Sequence, residues 1–174
     1  AGKPPQQIRQ HLMERDDKPA ERVTDIEPVQ GEALDALMAV KVWKVEYRQK
    51  GEDGTNLIFM AVRNGEVLRI RDYDDPAARD NLVKLLRDDF RVTSKADAAK
   101  LVSATLSLYF GFPFGEPEKT VEEMRVEVRD GEYFFVDGER FGDATGYRIA
   151  TDGDGRVTAY AYSWELPVQP PADH

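Results

Sequence analysis

The chain has 174 residues, 41% of them apolar, which is enough for one ordinary core or for two small units sharing a sheet. Its formal net charge of −9 repels a nucleic-acid backbone and an anionic lipid surface, so neither is expected as a partner. The longest uninterrupted apolar run, Leu57 to Val62, is too short to insert across a membrane, and the lack of cysteine excludes disulfides, thiolate catalysis and Cys-based metal sites.

Residues 1–30 read as an N-terminal arm, partly helical: Ile8, Leu12 and Met13 make a narrow helical stripe, and Pro19 and Pro28 interrupt the second half of the arm. The start Ala1-Gly2-Lys3, without a methionine, resembles what signal-peptide removal leaves, and the protein is expected to be extracytoplasmic, either periplasmic or secreted. Leu34, Leu37 and Met38 mark a short helix over 31–38. The strand over 39–48 starts with Val40 and Val42 in one phase and continues with Trp43, Val45 and Tyr47 in the other, which predicts a bulge near Val42 and Trp43. After a turn at Gly51-Glu52-Asp53-Gly54, the run Leu57-Ile58-Phe59-Met60-Ala61-Val62 does not alternate, so this strand is expected to be covered on both faces.

One phrase occurs twice, as Val62-Arg63-Asn64-Gly65-Glu66 and as Val128-Arg129-Asp130-Gly131-Glu132. Asn-Gly and Asp-Gly supply the two successive positive-φ residues of a type I′ turn, whose twist suits the flanking strands, so both phrases predict tight hairpins. The sequences around them match only in general pattern, which leaves duplication open.

Between the hairpins lie two helices. Asp75 before Pro76 caps the first, whose buried stripe is Leu82, Val83, Leu85 and Leu86 and which ends near Asp88. Ser94 starts the second with Asp97 as capping-box partner. Ala98, Leu101, Val102, Thr105, Leu108 and Tyr109 share a side, and Gly111 is the stop. Met124, Val126 and Val128 then alternate against Glu123, Arg125, Glu127 and Arg129, giving a strand with one wet face, whereas Tyr133-Phe134-Phe135-Val136 is apolar on both sides. A last hairpin runs from Thr145 through Asp152-Gly153-Asp154-Gly155 to Leu166, and 167–174 is a Pro-rich tail.

This order predicts an α+β fold, a single domain over 31–166. Its curved antiparallel sheet would have about six or seven strands, with two main helices packed on one face. From the Ser94 helix to Asp152-Gly153-Asp154-Gly155 the layout resembles small exported helix-on-sheet modules of the cystatin-like or PepSY kind. The resemblance is one of layout, and no family is assigned.

No residue is assigned a catalytic, metal or cofactor role. His11 and His174 are the only histidines, too few for a triad or a multi-His site. The neighbouring acids Asp16-Asp17, Asp74-Asp75, Asp88-Asp89 and Glu122-Glu123 suit helix ends and turns better than a carboxylate pair across a cleft. Asp152-Gly153-Asp154-Gly155 begins like a calcium loop, but Arg156 and Val157 follow and the twelfth position is Ser163 rather than glutamate.

Two aromatic groups remain. Tyr160, Tyr162 and Trp164 alternate with Ala159, Ala161 and Ser163, so the rings share one face of the last strand, either as core or as a ligand surface. Phe112 and Phe114 lie in an aromatic loop that either closes the core or lines an apolar groove. These five residues are the candidate binding residues of a non-enzymatic module that presents a sheet face or aromatic loop to a protein or a small apolar ligand. A carboxylate-dependent hydrolase or isomerase and a structural homo-oligomer are the alternatives. Two helices cover one face of the two-sided strands, and the arm's apolar stripe is narrow, so a homodimer through the sheet is expected to cover the other.

Folding is expected to need no calcium or zinc: EDTA should leave the thermal midpoint unchanged. A loss of several degrees that one metal restores would overturn the turn reading of Asp152-Gly153-Asp154-Gly155.

Overall fold

The computed structural model describes residues 3–16, 23–48, 55–71, 78–110, 117–140 and 143–162. The chain divides into two compact units, residues 1–87 and 88–174. The first contains α1 (Pro4–Asp16), β1 (Val23–Pro28), α2 (Glu32–Leu37), β2 (Val42–Arg48), β3 (Thr55–Arg63), β4 (Glu66–Arg71) and α3 (Ala78–Leu85). The second contains α4 (Lys95–Phe110), α5 (Pro117–Glu122), β5 (Arg125–Arg129), β6 (Glu132–Arg140), β7 (Asp143–Thr151) and β8 (Val157–Tyr162).

The eight strands form two antiparallel meanders of four, β1-β2-β3-β4 and β5-β6-β7-β8. This replaces the single curved sheet of about six or seven strands expected from the order of elements. Hairpins are local and legible one by one, but nothing local states whether strands on either side of two helices join. β1 also lacks clean alternation, because its register shifts between Val23 and Asp25.

β3 shows the two-sided burial that its sequence demands: Ile58, Phe59, Met60 and Ala61 are all buried. Ile58 and Met60 join Val45, Tyr47 and Val23 in a cluster closed by Ile8 and Leu12 of α1, both 0% exposed. The arm therefore packs on this face. Met13 takes no part, being 50% exposed. On the opposite face, the Arg63 guanidinium donates to the Lys84 carbonyl and, at 3.2 Å, to that of Leu86, which places the end of α3 there. The ends of α2 and α3 are joined by Ala39 N–H to the Leu85 carbonyl (2.8 Å) and Arg87 N–H to that of Leu37 (2.9 Å).

The bulge expected at Val42 and Trp43 is absent. Residues 42–48 pair without interruption with 61–55, because β2 starts at Val42 and the earlier valine precedes the strand. Asp75, Gly111 and the turn at 51–54 lie outside the described residues.

Both repeated phrases are type I′ turns. Asn64 and Gly65 have φ of 53° and 79°, and Asp130 and Gly131 have 49° and 77°. The first closes the last hairpin of its sheet and the second closes the first hairpin of the other. Their likeness thus comes from turn chemistry at non-equivalent positions.

In the second unit Ser94 accepts the Asp97 N–H at 3.2 Å, and Asp97 accepts from the N–H (3.0 Å) and hydroxyl (3.1 Å) of Thr93. The capping box is present, with its return bond displaced by one residue. Asp152 closes the last turn by accepting from the N–H groups of Asp154 (2.9 Å) and Arg156 (3.0 Å). Gly155, at φ 82°, offers its carbonyl to Val92 N–H at 2.8 Å, and a Cβ there would stand 3.0 Å from the Val92 carbonyl oxygen.

Gly146 on β7 is enforced by space: a Cβ would lie 2.1 Å from the Phe135 carbonyl oxygen. Gly146→Ala should destabilise by about 2–3 kcal/mol through backbone overpacking. Gly65→Ala, with open space around it, should cost about 1 kcal/mol through positive φ alone. Equal urea midpoints for the two variants would contradict this ranking.

The Asp97 carboxyl is held below its ordinary range mainly by the Thr93 N–H, and that of Asp152 mainly by the Arg156 N–H. A depressed folded-state value means that this stabilisation is complete above the unfolded value of about 3.9 and is lost as pH falls through the folded one. Asp97→Ala should therefore lower the urea midpoint at neutral pH, and the gap to wild type should close in acid. A gap independent of pH would refute it.

Candidate functional site

Alternation and register together place the described side chains of the second sheet on its two faces. One face carries Val128, Tyr133, Ile149 and Tyr160 in a row, beside Val126, Phe135 and Tyr147. Tyr160 is 1% exposed, and its hydroxyl lies 2.7 Å from that of Thr105 on α4. Thr105 also donates to the Leu101 carbonyl at 2.7 Å, as a hydroxyl inside a helix often does, so its lone pair is turned to the tyrosine. The Tyr147 ring packs at 6.2 Å between centroids, tilted 54°. This face is the core, and Tyr160 belongs to it.

Tyr162, two residues on, is paired with Tyr147. Trp164, Phe112 and Phe114 lie outside the described residues. Of the five candidate residues the structure thus fixes the side chain of Tyr160, and it fixes it inward.

With the tyrosines inward, the small residues lie on the other face. Two rows cross it from β5 to β8: Glu127, Phe134, Arg148, Ala161 and, next to it, Arg129, Glu132, Ala150, Ala159. Its centre is the half-buried Phe134 ring, with the Arg129 guanidinium 5.2 Å above the centroid. Such a contact contributes about 0.5–1 kcal/mol at an exposed site and holds a flexible side chain over the ring. Arg148 pairs diagonally with Glu132, and Arg125, 59% exposed, reaches Glu127 at 3.3 Å. The other carboxylate oxygen of Glu127, Oε2, is buried and accepts no hydrogen bond among the described residues. A buried acceptor left open is unusual enough to ask for a donor.

The first unit has 15 basic and 16 acidic residues, the second 9 and 17. Nearly all the net negative charge is in the second, yet three of its nine basic residues stand on this one face. The sequence held part of the signal: the wet face of β5 names Arg125, Glu127 and Arg129. Phe134 and Arg148 join them only once register is known.

Among the described residues, no group of three or more His, Asp or Glu is placed to hold a metal ion. Glu27, on the edge strand β1, has its carboxyl raised above the ordinary range, chiefly by a hydrogen bond with Asp25, and water surrounds it. No helix of the described residues is long and apolar enough to cross a membrane. No known protein family, curated protein or solved structure matches the sequence or its fold.

Proposed function

We propose that the protein is a non-enzymatic protein-interaction module and that the outer face of β5–β8 is the surface it presents. The observation that carries this reading is the pattern centred on Phe134: an aromatic ring with arginines and glutamates alternating around it, beside a shallow floor of Ala150, Ala159 and Ala161. Aromatic and arginine side chains are the residues enriched where protein surfaces meet. Small side chains let a partner backbone approach the sheet. Both carboxylates on the face are engaged by arginine, an arrangement suited to recognition rather than to proton transfer. The partner best complementing it brings acidic and apolar groups, with a hydrogen-bond donor for Glu127.

Selection of displayed random peptides on the folded protein should enrich sequences that combine acidic and apolar residues. Their affinity, read by fluorescence anisotropy, should fall roughly tenfold or more, about 1.4 kcal/mol, on Arg129→Glu or Phe134→Ala, and should weaken with salt. Peptides that bind wild type and both folded variants equally would remove this face as the site.

A further inference from the structure

We infer that Asn64 is a site of spontaneous covalent modification, at which the first repeated turn is converted in the folded protein to aspartyl and isoaspartyl forms. The sequence has three asparagines, and the structure treats them differently. Asn56 is half-buried within β3, paired with Tyr47 and followed by Leu57. Asn81 is 8% exposed within α3, where its amide donates to the Arg69 carbonyl at 2.8 Å and the buried Leu82 follows. Asn64 is exposed at a hairpin tip and is followed by Gly65, around whose missing Cβ no atom comes within 4 Å.

The chemistry needs no partner but water. The backbone nitrogen of Gly65 attacks Cγ of Asn64, a bond forms between them, and the bond from Cγ to the amide nitrogen Nδ2 breaks. Ammonia leaves, taking up the proton that the Gly65 nitrogen gives up, and a five-membered succinimide remains. Water then adds to one of the two imide carbonyls. Opening at Cγ gives a normal aspartate, and opening at the backbone carbonyl gives an isoaspartate whose backbone runs through Cβ and Cγ. No electrons are gained or lost, and each product is heavier by about one dalton and more negative by one charge at neutral pH. A glycine after the asparagine matters because a side group there would shield the attacking nitrogen.

The two products differ sharply in consequence. The aspartyl product turns Val62-Arg63-Asn64-Gly65-Glu66 into the same five residues as 128–132, a turn this protein already builds with Asp130 at φ 49° against 53° for Asn64. It fits. The isoaspartyl product puts an extra carbon into a two-residue loop and so disturbs the Arg63–Glu66 pair that sets the register of β3 on β4. Arg63 is also the residue whose guanidinium holds the last carbonyls of α3, so the disturbance reaches the helix.

The test is to incubate the full-length folded protein at mildly alkaline pH and map its peptides by mass spectrometry. The expected result is a one-dalton gain confined to the peptide containing Asn64, resolved by chromatography into two species of equal mass. Asn64→Asp should keep the wild-type thermal midpoint, whereas the isolated isoaspartyl fraction should melt lower. If the folded protein shows no gain over an interval in which a urea-unfolded sample converts at Asn64, the turn protects the residue and the inference fails. Equal gains at Asn56 or Asn81 would also overturn it, since exposure and the following glycine would then select nothing.

Discussion

The requirement that β3 be covered on both faces governs the first unit. Ile58 and Met60 point one way and Phe59 and Ala61 the other, so a sheet with helices on one side would leave half of this strand wet. α1 resolves this with two fully buried side chains, each worth roughly 1.5–3 kcal/mol of apolar burial. That is enough to hold a helix of this length, which alone in water would be marginal. α3 takes the other face, with its end joined to that of α2, and Arg63 couples the tip of β3 to the end of α3 by satisfying carbonyls that every helix terminus leaves open.

The second unit turns on a single buried hydroxyl pair. A strand that alternates large and small residues has two ways to face its helix. Thr105, buried on α4, selects the one in which Tyr160 points inward. The choice propagates, because cross-strand partners share a face. With Tyr160 inside, Ala159 and Ala161 are outside, and through the ladder so are Arg148, Phe134 and Glu127. The charged outer face is thus a consequence of how the core is packed.

What could be read from the sequence was local. Turn dipeptides, the capping residues Ser94 and Asp97, and the unbroken apolar run of β3 each carry their physics within a few positions, and each appears in the structure as read. What could not be read was pairing. The split into two sheets depends on which strands join across the intervening helices, and the arm's role depends on a groove made by residues as distant as Met60. Alternation at Tyr160 and Tyr162 showed that two rings share a face but not which way that face looks. The deciding group was a threonine on another element. For the same reason the outer face was half-visible: β5 announced its wet side, while Phe134, inside an apolar run, gave no sign of standing among arginines.

The bond from Val92 N–H to the Gly155 carbonyl ties the residues just before α4 to the turn of the final hairpin. These two points are separated by most of the second unit, so the unit is a closed circuit whose clasp forms only when its last strands are in place. The clasp sits beside Thr93, which also holds Asp97, so the backbone just ahead of the unit's principal helix has one local and one distant anchor. A contact across so long a stretch of chain is closed against more loop entropy than the hairpins around it. The cap of α4 closes within residues 93–97, and the distant bond gives that helix start a fixed place beside the last turn of the sheet.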